Sequence, residues 1–165
     1  MVRSALPDME NIIYTIGHGR HPFAVFLSLL QQFDIRLVCD VRSRARSRWP
    51  QYNERVLAAA LREHGIGYEH LPECGGKVLA PPAELARGLD RIMELAAEVR
   101  VAVMCSESYP PTKHVRVARA NCHRVGLLAV PLKQQGARII HILPIGDTLE
   151  VDESRLPSVW RAEST

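Results

Sequence analysis

Four arginines stand at alternate positions in the stretch CDVRSRARSRWPQYN, residues 39–53: Arg42, Arg44, Arg46 and Arg48. A guanidinium is a planar fork that holds a phosphate or carboxylate through two parallel hydrogen bonds, so this spacing points to anion recognition. The chemistry depends on conformation. In a helix, alternate side chains point to roughly opposite sides, whereas in an extended segment they share a face at intervals of about 6.6 Å. An extended loop would therefore make the four arginines a row of cations able to track phosphates. The plain alternative, above all for Arg44 and Arg46, is a solvated loop paired with local acids, each pair contributing ~0–1 kcal/mol. Asp40 precedes the run. It is a candidate general base, but an acid so close to Arg42 suits the role of holding the arginine or the turn.

Other residues able to do chemistry lie apart in sequence. His18 sits between Gly17 and Gly19, where glycines let a backbone approach a ligand closely. It is the leading candidate for acid–base work or anion contact, against a turn histidine bonded to backbone. His21 and His64 read as surface residues, and His70 and His141 as satisfied core or edge histidines. PECGGK (72–77) offers backbone N–H groups and a lysine to an anion, though without phosphate-loop spacing. Its Glu73 could meet a sugar hydroxyl, a cation or an arginine. Cys105 invites comparison with cysteine phosphatases, but these need an arginine six residues on, where Pro111 stands. A buried, inert thiol is the commoner case. Cys122 has the better setting for a thiolate if Asn121 caps a helix, since N-terminal amides and His123 would stabilise it.

These residues need elements to position them. NIIYTIG, IRLVCDV, GYEHL, RVAVMC and GARIIHIL read as five short strands, several of them wholly apolar. Between them, HPFAVFLSLLQQFD, NERVLAAALREHGI and PPAELARGLDRIMELAAEV read as helices, with a further helical region within Thr112 to Gln135. Alternating strands and helices predict an α/β three-layer sandwich: a mostly parallel five-stranded sheet with helices on both faces. Ligands of such sheets bind at the carboxyl ends of the strands. At those ends stand Gly17-His18-Gly19, Asp40 with the arginine run, His70 to Gly76, and Cys105-Ser106-Glu107. Polar and titratable groups thus gather at one edge.

At 165 residues the chain is expected to be one domain, residues 1–146, with a charged tail at 147–165. A core of that size needs no disulfide or metal to fold. The net charge of +3 is too mild to imply nucleic acid by itself, although only three of the 21 basic residues are lysines. No apolar run near the start is long enough for a signal peptide or a membrane span. A cytoplasmic location with four reduced cysteines is therefore the default expectation. None of the cysteines is spaced as C-x-x-C, so no structural zinc site is expected.

YTIGHG, CDVRSRARSRWPQYN, LPECGGK, MCSE and CHR occur together in the order and spacing of the DUF488 family. The chain resembles that family from about Ile12 to Ile142. The resemblance implies a compact α/β domain whose motif residues share one pocket, and it brings no established activity. Its motif positions fall on His18, Asp40, Arg42, Ser47, Arg48, Asn53, Glu73, Gly75, Gly76, Cys105, Glu107, Cys122, His123 and Arg124. The chain departs from the pattern at Ala45, where proline is frequent, and at Cys74, where a leucine-like residue is usual. It also departs in the segment SYPPTKHVRVARAN between the C-x-E and C-H-R elements. Read as an insertion, that segment leaves Cys122-His123-Arg124 as the motif. Read without one, Lys113-His114-Val115 takes the motif position, and Cys122 joins an apolar stripe with Val115, Ala118 and Val125.

Three classes of function are consistent with these residues. In the first, a small phosphate- or carboxylate-bearing compound, nucleotides included, is held by Arg42, Arg46, Arg48 and Arg124. Asp40 and Glu107 orient groups, and His18 or His123 moves a proton. In the second, the arginine row follows a nucleic-acid backbone while Trp49 and Tyr52 stack bases. A metal site through Glu73, Glu107, His123 and cysteines comes last. The sequence implies no particular cofactor, no membrane partner and no particular oligomeric state.

Overall fold

The computed structural model describes residues 11–107 and 124–150. Six strands make one sheet: β1 (Ile12–Gly17), β2 (Leu37–Asp40), β3 (Gly67–His70), β4 (Val101–Cys105), β5 (Arg138–Ile142) and β6 (Thr148–Leu149). Their spatial order is β3-β2-β4-β1-β5-β6. The first five are parallel and β6 is antiparallel to β5. The α/β architecture read from the alternation of strands and helices is the one observed, with one strand more than expected. That strand is two residues long, too short to show a period. It forms because a turn with Gly146 at φ 89° brings the Leu143 N–H to the Asp147 carbonyl at 2.8 Å.

The helices are α1 (Phe23–Gln32), α2 (Glu54–Glu63), α3 (Pro82–Glu98) and α4 (Val130–Gln134), the last continuing a π-helical turn at Arg124–Ala129. From β1 through β3 the chain steps toward one edge of the sheet; from β3 through β5 it steps back. Right-handed crossovers then place α1 and α2 on one face and α3 and α4 on the other. Two apolar clusters confirm it. Phe26, Leu30, Leu57 and Leu61 pack with Ile16, Val38 and Met104 on the first face. Leu89, Ile92, Leu128 and Leu132 pack with Ile13, Cys39 and Val103 on the second. Neighbouring strand residues alternate between the clusters, as a sheet covered on both faces requires. Gly65, at φ 72°, terminates α2 as a left-handed residue after its last turn.

The reversal puts β4 between β1 and β2. The segments following β1 and β2 lead to helices on one face, whereas α4, which follows β4, lies on the other. A crevice opens at such a switch point, at the carboxyl ends of the strands.

Candidate functional site

Asp40 is the last residue of β2, with no solvent exposure, and Arg42 is 6% exposed. The Arg42 Nε donates to Asp40 Oδ1 at 2.9 Å and Nη2 donates to Oδ2 at 2.7 Å. The Arg42 backbone N–H adds a third bond to Oδ1 at 3.1 Å. Burial disfavours the cation, but the Asp40 hydrogen bonds outweigh it and hold the guanidinium above its ordinary pKa. Tyr68, in β3 beside Val38, donates its hydroxyl to Asp40 Oδ2. Burial first, then the Asp40 charge, pushes that phenol up. His70, paired with Asp40 across the strands, contacts the Arg42 carbonyl through Nε2 at 2.7 Å. The root of the arginine loop is thus fixed by a carboxylate, a phenol and an imidazole.

His18 follows β1 and is buried. Its backbone N–H bonds the Cys105 carbonyl at 3.0 Å, carrying the β1–β4 ladder one step past the strand end. Its Nδ1 lies 2.8 Å from the Gly19 carbonyl and its Nε2 lies 3.5 Å from Arg42 Nη1. That pattern assigns the proton to Nδ1 and leaves Nε2 as an acceptor facing a cation. Burial chiefly, with Arg42 adding to it against the Gly19 hydrogen bond, lowers the His18 pKa to about 4. The ring stacks on Tyr52 at 4.2 Å and 14°. His18 is therefore neutral at pH 7 and clamped, an acceptor more than a proton carrier.

The arginines divide. Arg42 is buried, whereas Arg44, Arg46 and Arg48 are exposed and alternate with Ser43, Ala45 and Ser47, which are buried or half-buried. Among the described residues, none of the three has a hydrogen-bond or ion-pair partner through its guanidinium. The expected row thus has three members. Its far end is tied to α2: the Ala45 carbonyl accepts from the Glu54 N–H at 2.9 Å. Asn53, the N-cap of α2, directs its Oδ1 to the Ser47 N–H at 2.8 Å rather than to its own helix. Trp49 packs against the core, and Pro50–Tyr52 make a 3-10 turn into α2.

Glu73 and Cys74 lie in a 3-10 turn, Pro72–Cys74, followed by Gly75 and Gly76. The N–H groups of Cys74 and Gly75 bond Leu71 and Pro72 carbonyls at 3.0 Å each, so they are not turned toward an anion. Gly75 is required by close approach: a Cβ there would lie 2.6 Å from Ser43 Cα. Cys105 ends β4 with its side chain in the α3–α4 cluster, the face opposite Asp40 and Tyr68. Glu107 is exposed beyond β4. Arg124 opens the π-helical turn. Cys122 and His123 lie outside the described residues, as do Lys113 and His114. The structure thus brings His18, Asp40 and Arg42 together, and Gly75 against their loop.

Two readings are corrected. Tyr52 has no exposure and is covered by His18 and Phe26, so it presents no face to a base. His21, expected at the surface, is half-buried. Its carbonyl accepts from Tyr52 Oη at 2.7 Å, and its Nε2 is buried with no partner among the described residues. Tyr68 escaped sequence reasoning, because its tie to Asp40 depends on the β2–β3 register. Among the described residues, no group of three His, Cys, Asp or Glu side chains is arranged to hold a metal ion. None of their helices is long and apolar enough to cross a membrane.

Fold and site together define an α/β domain with a buried polar cluster at the carboxyl edge of its sheet. Residues 23–80 match the family model of DUF488, a domain of unknown function. The DUF488 resemblance is thereby borne out over the stretch from α1 to the loop after β3, which holds Asp40, the arginine loop, Glu73 and Gly75. His18, Cys105 and Glu107 lie outside the match. No curated protein and no solved structure matches the chain.

Proposed function

We propose that this protein binds a phosphate- or carboxylate-bearing small molecule at the carboxyl edge of its sheet, with Arg46 and Arg48 as the principal anion contacts. One observation carries the reading. The loop is anchored at its root by the buried Asp40–Arg42 pair and at its end by Asn53, yet it displays three exposed guanidiniums with no acid partner among the described residues. A preorganised cationic loop loses little conformational freedom on meeting an anion. Arg42, already neutralised by Asp40, positions the loop. A neutral His18 whose Nε2 faces Arg42 favours binding over acid–base catalysis there. Reduced thiols at Cys39, Cys74 and Cys105 fit a cytoplasmic setting.

A second reading rests on the alternation of exposure at Arg44, Arg46 and Arg48, which would suit successive phosphates of a nucleic-acid strand. Thermal shift separates the two. Nucleotides, phosphorylated metabolites and short oligonucleotides are tested at low and moderate salt against the wild type and Arg48→Ala. A ligand at about a hundred times its Kd stabilises by ~2.7 kcal/mol. A salt-tolerant response to one small anion, lost in Arg48→Ala, is expected. A response to oligonucleotides alone that collapses with salt would replace the small-ligand reading with the strand-binding one.

A further inference from the structure

A groove of about 360 Å³ lies beside the arginine loop but outside the His18–Arg42 cluster. Its walls are Pro72, Val78, Leu79, Ala80 and Pro81, with Ser43, Glu73 and Glu84 completing it. Val78 and Leu79 are 62% and 69% exposed, a large apolar surface left in water at neighbouring positions. The strap carrying them is held, since the Val78 N–H donates to Ser43 Oγ at 3.0 Å.

The two acids distinguish this groove from a bare apolar patch. Glu84 stands in the first turn of α3, where a carboxylate complements the helix dipole. That accounts for Glu84 but not for Glu73. Glu73 is half-buried, and its methylenes lie along α3 where Gly88 leaves room. A Cβ at position 88 would come within 2.6 Å of Glu73 Cγ. Among the described residues neither carboxylate has a hydrogen-bond or ion-pair partner. A glutamate held in place by a glycine, half out of water and without a cation, is matched by a positive ligand.

We infer that this groove binds a small organic cation: an ammonium or guanidinium on an apolar body, its charge between Glu73 and Glu84 and its body on Val78 and Leu79. The volume is within the range of small-molecule sites. The inference is independent of the anion reading, because its charge is opposite and Arg48 plays no part in it.

The test is an NMR titration of the full chain, methyl-labelled at valine and leucine, with phenethylammonium and butylguanidinium. Phenethyl alcohol and phenylacetate serve as the neutral and anionic counterparts. Saturable shifts of the Val78 and Leu79 methyls are expected with the two cations. In Glu73→Gln/Glu84→Gln they should weaken by about tenfold or more, the loss of a charge-assisted contact. Glutamine keeps the shape, and an unchanged melting temperature shows that the fold is kept. Equal shifts with phenethyl alcohol, no saturation, or binding unaffected by the double substitution would each overturn the inference. So would binding of the cation only when it is carried on a peptide. Arg48→Ala should leave the cation titration unchanged, so failure here and failure of the anion reading are separable.

Discussion

Arg42 anchors the loop through the same bonds that cancel its charge. One edge of its guanidinium, Nε and Nη2, meets the two oxygens of Asp40, and Nη1 faces His18. The clamp around His18 has a consequence for stability. An unfolded histidine takes up a proton near pH 6.5, whereas the buried His18 resists it until about pH 4. Its folded pKa is depressed, so its contribution is fully present above pH 6.5 and is lost as the pH falls toward 4. The linkage amounts to roughly 2–3 kcal/mol between neutral pH and pH 4.5. Urea unfolding of the wild type and His18→Asn at both pH values measures it. The variant starts less stable, because the Tyr52 stack and the Gly19 bond are disturbed, but it should lose less on acidification. Equal acid losses in the two proteins would show that His18 is not held neutral.

The arginine loop works as an element because other elements clasp it. Gly75, from the turn after β3, lies so close to Ser43 that a Cβ would come 2.6 Å from Ser43 Cα and 2.7 Å from its N. Those are backbone atoms, and no rotamer change relieves the clash. Gly75→Ala should therefore cost about 1–3 kcal/mol in urea unfolding. The Ser43 Oγ would lie closer still to that Cβ, so Ser43→Gly in addition should recover only part of the loss, since the backbone atoms remain. Full recovery in the double variant would place the conflict in the Ser43 side chain and leave the backbone clasp unsupported. This clasp marks the limit of what the sequence made legible. Five strands, the helices and the left-handed close at Gly65 are set by local period and turn chemistry. The position of Asp40 at a strand end, and its role in holding Arg42, are likewise set by neighbours in the chain. Tyr68 on Asp40, Tyr52 under His18 and Gly75 against Ser43 are contacts between residues 28 or more apart in sequence. They depend on strand order, which a linear pattern does not contain. PECGGK read as a flexible anion nest for the same reason: the residue facing Gly75 lies one strand away.

At the scale of the whole molecule, the sheet separates two chemistries. The polar cluster lies on the α1–α2 side of the carboxyl edge, and the thiols of Cys39, Cys74 and Cys105 belong to the α3–α4 cluster. Burial, with Glu69 adding to it at Cys39 and Glu73 at Cys74, pushes both thiols up to about 12. Against an ordinary thiol this lowers the thiolate fraction by about a thousandfold, and the thiolate is the species that alkylates. Cys39 lies mid-sheet between β3 and β4, so reagent reaches it only when the α3 layer comes away. Labelling of the three cysteines in Cys122→Ser should accordingly follow unfolding. Iodoacetamide rates at Cys39 and Cys74, read by peptide mass, should rise together with urea and with the slope of global unfolding. Cys105 is the informative comparison, because it ends β4 where the chain passes the site. If it labels at the same rate as the other two, the carboxyl edge opens only with the whole domain and the arginine loop is a rigid platform. If it labels well ahead of them, that edge opens locally. Rigid preorganisation would then no longer support the anion reading, which would need a loop ordered by its ligand instead.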